Sequence, residues 1–229
     1  MHTYTFASGA TQALDASTVA SFLGAFGTIG AVIVALFVQV YLVWRRRPAL
    51  TMDISSDAND EHVVVIKDSQ EAPTVVEVWV RLRVLAKRNR RTARGSRVQL
   101  VKVKRPEQDA VQLIVPSGPM IWSSVGPQPQ SIISGMWLML DVLRYRVESP
   151  GYPPHQLEVE VGYDFAPADR QSVLAGTGRY ELTMLLGADD GRTSMWRLTF
   201  DHVPNSDATS DDELRALIQN IELTKLRTK

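Results

Sequence analysis

The spacing of apolar and polar residues divides this chain into three regimes. From Val19 to Trp44 there is no charged residue, and only Ser21, Thr28 and Gln39 are clearly polar. A continuous apolar run of that length predicts a membrane-spanning helix. The 25 residues from Val19 to Val43 make a helix of roughly 37 Å at ~1.5 Å per residue, enough to cross a hydrocarbon core of about 30 Å with some tilt. Pro48 ends that helix, because it cannot donate to the preceding turn, and the period then changes to two. Leu50, Met52 and Ile54 alternate with Thr51, Asp53 and Ser55. The turn cluster Asp57-Ala58-Asn59-Asp60 then joins them to His62–Lys67 as an expected hairpin.

Alternation is clearest from Thr74 to Leu85. Val76, Val78, Val80, Leu82 and Val84 face one way; Glu77, Trp79, Arg81 and Arg83 face the other. Val98 and Leu100 resume the pattern after a basic loop. The phase then slips to Val101 and Val103, which predicts a β-bulge near Leu100 or Val101 that keeps both sets on the buried face. Prolines 106, 116, 119, 127 and 129 break the next stretch into short pieces, with short strands expected at Val111–Val115 and Met120–Ser123. Longer strands follow: Trp137–Val147; Leu157, Val159 and Val161 with Glu158 and Glu160 opposite; Tyr180, Leu182 and Met184; and Trp196, Leu198 and Phe200. Seven to nine strands separated by regular turns predict an all-β domain, an antiparallel β-sandwich. The third regime begins at Ser210, which with Glu213 forms a capping box. Leu214, Leu217, Ile218 and Ile221 then share one face of an expected amphipathic helix. The predicted organisation is a tail (1–18), a transmembrane helix (19–44), a basic juxtamembrane linker (45–49), a sandwich domain (50–204), and a linker with a C-terminal helix (205–229).

Charge adds direction. The net charge is zero, yet Arg45 to Arg105 holds 15 Lys and Arg against 7 carboxylates, and Pro106 to Lys229 holds 10 against 17. Arg45, Arg46 and Arg47 follow the apolar run at once, whereas Met1 to Thr18 contains no Lys or Arg. By the positive-inside rule the tail lies outside and the domain in the cytoplasm, in a plasma (inner) membrane. The positive charge follows the apolar run, where a signal peptide would have its cleavage site, so the run reads as an uncleaved anchor. Within it Gly24, Gly27, Ala31 and Ala35 form a face of small residues of the kind through which two helices pack closely, with a homo-oligomer as the implied partner.

The stretch Trp79-Val80-Arg81-Leu82-Arg83-Val84, followed by Arg91-Thr92-Ala93-Arg94-Gly95-Ser96-Arg97-Val98-Gln99-Leu100, resembles the strand–loop–strand of immunoglobulin-like sandwiches related to bacterial CARDB-type adhesion modules. Ala93 and Val98 match that pattern; Lys87 to Arg90 stand where the family has Asn-Gly. A span, Arg-Arg-Pro and a sandwich containing Ile121-Trp122-Ser123 and Gly178-Arg179-Tyr180-Glu181-Leu182 are also similar to a set of uncharacterised bacterial single-pass membrane proteins. The resemblance implies an immunoglobulin-like fold and supplies no activity.

The absence of cysteine excludes thiol catalysis, disulfide frameworks and Cys-based zinc sites. No phosphate loop, zincin, nucleophile-elbow or dinucleotide motif is present; no cofactor, metal or catalytic residue is expected. Gly176-Thr177-Gly178 reads as a turn. His202 beside Asp201, His155, and Asp141 in its apolar strand are what an enzymatic alternative would use, as a membrane-tethered enzyme or as an effector subunit completed by a protein partner. The stronger candidate is the basic set Lys87, Arg88, Arg90, Arg91, Arg94 and Arg97, together with Arg45, Arg46 and Arg47. One reading is a solvated hairpin tip, a second is contact with anionic lipid. A third, nucleic acid, ranks below lipid because no aromatics interleave to stack bases. The expected function is a membrane-anchored, non-enzymatic interaction or sensor module. A reporter fused after Lys229 is expected to be active only in the cytoplasm; activity on the outer side would reverse the orientation.

Overall fold

The structure is a computed structural model that describes residues 16–54, 62–69, 73–105, 112–113, 118–123, 125–148, 155–161, 174, 176–189 and 191–226. The chain divides after Arg45 into two compact units. The first holds one helix, α1 (Ala16–Arg45), which over Leu23–Arg45 is long and apolar enough to cross a membrane. Two of its three polar interruptions bond within the helix: Ser21 Oγ donates to the Ser17 carbonyl at 2.8 Å and Thr28 Oγ1 to that of Gly24 at 2.9 Å. Such bonds suit a helix able to enter hydrocarbon, where no water would be present to bond a free hydroxyl. Near its end Phe37 stacks on Tyr41 at 5.7 Å, and the Arg45 guanidinium lies 5.9 Å from the Tyr41 ring centre.

The second unit is mostly β. Its strands are β1 (Leu50–Asp53), β2 (Val63–Lys67), β3 (Val76–Ala86), β4 (Ala93–Lys104), β5 (Gln112–Leu113), β6 (Gly118–Pro119) and β7 (Ile121–Trp122). These are followed by β8 (Gln130–Ile132), β9 (Trp137–Glu148), β10 (Gln156–Val159), β11 (Gly178–Gly187), β12 (Ser194–His202), the one-turn helix α2 (Asp211–Arg215) and β13 (Ile218–Leu226). All pairings are antiparallel. In the first sheet β3 and β9 form the centre; β1 and β2 share the outer side of β3, and β7 and β10 that of β9. The second runs β13–β12–β11–β4, with β5, β6 and β8 along the far side of β4.

The predicted alternation of β3 is what buries it. Val76, Val78, Val80, Leu82, Val84 and Ala86 all point inward, and with Leu100, Val103, Leu182, Met184, Leu198 and Phe200 of the second sheet they form one continuous core. Each such side chain removed from water contributes roughly 1.5–3 kcal/mol.

The phase slip after Leu100 is a bulge: Thr183 pairs with Lys102 and Met184 with Leu100, leaving Val101 as the extra residue. The expected burial of both sets is corrected: Val103 resumes the core, but Val101, the unpaired residue of the bulge, is turned out and 41% exposed. A second bulge, at Val142 opposite Val80/Arg81, lets Leu140, Val142, Leu143 and Tyr145 all reach the core.

Three further expectations are corrected. The stretches Leu50–Ile54 and His62–Lys67 do not form a hairpin with each other. Instead β1 pairs with Arg83–Ala86 and β2 with Val76–Val80, end to end along the same edge of β3. The connection from β3 to β4 is likewise no hairpin tip, since the two strands lie in different sheets and the loop crosses between them.

The C-terminal helix is reduced to one turn. The Ser210–Glu213 capping box forms as expected, with the Glu213 N–H donating to Ser210 Oγ at 3.3 Å and the Ser210 N–H to Glu213 Oε2 at 3.0 Å. From Ile218 the chain becomes β13. Its spacing suits both periods: Leu214, Leu217, Ile218 and Ile221 are helical, whereas Ile221 and Leu223 are two apart. The open edge of β12 decides between them, because pairing there satisfies both backbones. Expected stability losses follow from the bulge. Leu100→Ala should cost about 2–5 kcal/mol, and Val101→Ala should stay within about 0.5 kcal/mol, measured by denaturant titration of the full chain in detergent.

Candidate functional site

Four chain segments meet at one end of the β unit. The linker after Arg45 lies along the β3–β4 connection, whose Lys87 and Arg91 N–H groups donate to the carbonyls of Ala49 at 2.9 Å and Arg46 at 3.1 Å. On the other side of that connection sits the β8–β9 turn, Ile133–Met136. The Ala86 N–H donates to the Met136 carbonyl at 3.0 Å, that of Gly135 to the Ala86 carbonyl at 2.7 Å, and Ser134 Oγ to the Lys87 carbonyl at 3.3 Å. The fourth segment is the β11–β12 turn, where the Asp189 N–H donates to the Arg94 carbonyl at 3.0 Å. Basic residues some forty positions apart in sequence therefore share one surface. Asn89, at φ +62°, turns the chain between them, a conformation Asn tolerates better than most residues.

Of the nine predicted cations, Arg46, Arg47, Lys87, Arg88, Arg90, Arg91, Arg94 and Arg97 belong to this unit, and Arg45 ends α1. All of them are exposed except Arg90, which is half-buried. Arg97 pairs with Asp189 at 3.2 Å, both ends solvent-facing, a type of pair that contributes ~0–1 kcal/mol. Among the described residues no ion pair is found for the other seven of these predicted cations, Arg46, Arg47, Lys87, Arg88, Arg90, Arg91 and Arg94. The small-residue face of α1 is exposed, and a side chain added at Gly24 or Gly27 would meet nothing within 4 Å.

The groups of the enzymatic alternative are tied up separately. Asp141 is buried and accepts from Arg81 Nε at 2.9 Å and Ser123 Oγ at 2.6 Å. His202 does not pair with Asp201, which instead accepts from Asn220 Nδ2 at 2.7 Å. Its Nδ1 lies 3.1 Å from the Gly176 carbonyl. A carbonyl only accepts, so this nitrogen carries the proton, and the buried Nε2 has no partner among the described residues. Burial, and then the positive charge of Arg105, hold the His202 pKa below its usual value, against the opposing pull of the Gly176 carbonyl.

His155 and His202 converge on one ring: Tyr145 Oη is 3.4 Å from His155 Nδ1, and its ring meets His202 edge-on at 5.4 Å. Burial also pushes the Tyr145 hydroxyl pKa up. Gly176-Thr177 bends the chain into β11, which Gly178 opens, and its carbonyls serve this cluster: Arg105 donates to that of Thr177, and Tyr180 Oη to that of Gly176 at 3.1 Å.

Sequence reasoning missed a buried ion cluster. Glu158 and Glu160, expected on an outward face, are 6% and 4% exposed. Arg144 reaches Glu160 at 2.7 Å and Glu158 at 3.4 Å, and Arg146 reaches Glu158 at 3.0 Å. The Arg144 guanidinium also lies 4.8 Å from the Trp79 ring centre. In register Trp79 stands opposite Arg144, and Arg144 opposite Glu158, a row across three strands that no local spacing announces.

A shallow cleft of about 440 Å³ is lined by Arg97, Val98, Gln99, Pro119, Pro127, Gln128 and Pro129; it carries no acid–base or nucleophilic side chain. Among the described residues no group of His, Asp and Glu could hold a metal ion. No known family profile, curated protein or solved structure matches the chain.

The buried imidazole predicts an acid-sensitive fold. Because the native state resists protonating His202 below its ordinary 6.5, its contribution is complete above that value and is lost as pH falls towards the lower native pKa. Unfolding free energy of the full chain should decline over that window, and His202→Leu should flatten the slope.

Proposed function

We propose that this chain is a single-pass membrane-anchored interaction or sensor module, with its N-terminus outside, whose β unit docks against the anionic headgroups of the cytoplasmic leaflet. The observation that carries this reading is the convergence of the linker, the β3–β4 connection and their cations on one surface. Arg46 is bonded directly to Arg45, the last residue of the apolar helix, so covalent continuity keeps that surface near a membrane the helix crosses. The module acts by contact rather than catalysis: Asp141 is held by Arg81 and Ser123, and His155 and His202 face a tyrosine ring rather than an activated nucleophile. Self-association through Gly24, Gly27, Ala31 and Ala35 stays outside this proposal, because nothing in the structure covers that face.

An immunoglobulin-like kinship is part of the same proposal. Strand order supports it, with β1/β2–β3–β9–β7 in one sheet and β4–β11–β12 in the other, matching first–second–fifth–fourth and third–sixth–seventh. A second support is Tyr180, near the start of β11, whose hydroxyl returns to a carbonyl four residues upstream, as in the tyrosine corner of such folds.

The docking claim is tested by hydrogen exchange on the full chain reconstituted in vesicles. Amides of Lys87 to Thr92 should exchange more slowly in anionic than in neutral vesicles, and joint Arg88→Gln, Arg90→Gln, Arg91→Gln and Arg94→Gln should abolish the difference. At about 1 kcal/mol per cation near an anionic surface, that variant loses as much as ~4 kcal/mol of attraction. Equal exchange in both vesicle types would overturn the reading.

A further inference from the structure

The same end of the β unit exposes apolar bulk. Ile133 is 63% exposed, Met136 58% and Trp137 40%. Single exposed apolar side chains are ordinary, but three within five residues, on one tight turn, are a feature in need of a partner. The turn is rigid. The Met136 N–H donates to the Ile133 carbonyl at 2.9 Å, and Gly135 holds φ +81°, the left-handed value that the third position of a type II turn requires. Its attachment to Ala86 and Lys87 fixes the turn beside the cationic connection, and Arg88 lies over Gly135 so closely that a Cβ there would come within 3.0 Å of Arg88 Cγ. Trp137 is flanked by a cation too, with the Arg83 guanidinium 5.7 Å from its ring centre.

We infer that Ile133 and Met136 are a membrane-inserting tip, with Trp137 at the headgroup level beside it. The occupant of this apolar patch is the acyl-chain boundary of an anionic leaflet. The inference rests on the docking proposed above and adds penetration to it. Charge complementarity selects the partner: cations border the patch, while the carboxylates described beside it are already paired, Asp189 with Arg97 and Asp53 with the Arg83 that flanks Trp137. Apolar side chains flanked by Lys and Arg suit the boundary between headgroups and hydrocarbon, where basic groups meet lipid phosphates and apolar groups leave water. Trp is favoured at that depth for its amphipathic ring.

The chain contains no cysteine, so single-cysteine variants of the full-length protein place one probe each. An environment-sensitive fluorophore on Ile133→Cys, on Met136→Cys, and on Val203→Cys at the opposite end of β12 would be read in anionic vesicles with quenchers on either the headgroups or the acyl chains. Acyl-chain quenching several-fold stronger at 133 and 136 than at 203, with a blue-shifted emission that is lost in neutral vesicles, is the result expected. Headgroup quenching without acyl-chain quenching would overturn insertion and leave docking standing. Quenching by neither would sink both. Shielding at 133 and 136 that ignores both quenchers and grows with protein-to-lipid ratio would assign the patch to a second copy and overturn the inference as well.

Discussion

Two main-chain hydrogen bonds govern what the β unit presents at its basic end. By donating to the carbonyls of Ala49 and Arg46, the amides of Lys87 and Arg91 bind the segment leaving α1 to the loop that carries the densest positive charge. Without them the linker arginines and the loop arginines would be separate, diluted charges. With them the first residues after the apolar helix become part of the folded unit, and the positive field has a defined place on its surface. Charge concentrated in this way repels itself, and the cost is met by the core behind it, where the paired alternation of β3 and β9 buries aliphatic side chains from both sheets.

Much of this was legible in the sequence, and the reasons differ by element. The apolar helix and β3 were readable because each obeys one uninterrupted rule: no charge over 25 residues in one case, strict period two in the other. The bulge at Val101 was readable because its phase error is visible without a partner strand. Failures occurred where the outcome depended on something distant. The segment after Ile218 satisfies two periods, and the open edge of β12 chose between them. The segments Leu50–Asp53 and Val63–Lys67 lie close in sequence, as hairpin strands do, yet both pair with β3. Glu158 and Glu160 alternate as solvent-facing residues would, and only the register against Arg144 and Arg146 explains their burial.

The candidate site divides in the same way. Its loop cations were evident from composition, since Arg81 to Arg105 holds 11 Lys and Arg and no carboxylate. Its apolar half was not. Ile133 and Met136 sit in a proline-broken stretch with no periodicity, flanking a Ser-Gly turn, and such residues look like ordinary loop filling until the neighbouring amides show which surface they join.

The divided edges of the sheets carry a different consequence. The outer side of β3 is shared by β1 and β2, and the outer side of β4 by β5, β6 and β8. Neither central strand therefore offers a long open ladder to another chain. On β13 the exposed edge is interrupted by a bulge in which Asn220 and Ile221 stand opposite Phe200, with Asn220 at φ +49°. Edge strands shortened or kinked in this way resist edge-to-edge pairing. Were the apolar helix to confine copies to the plane of a bilayer, where encounters are frequent and orientations restricted, such edges would help keep neighbouring molecules from polymerising through their sheets.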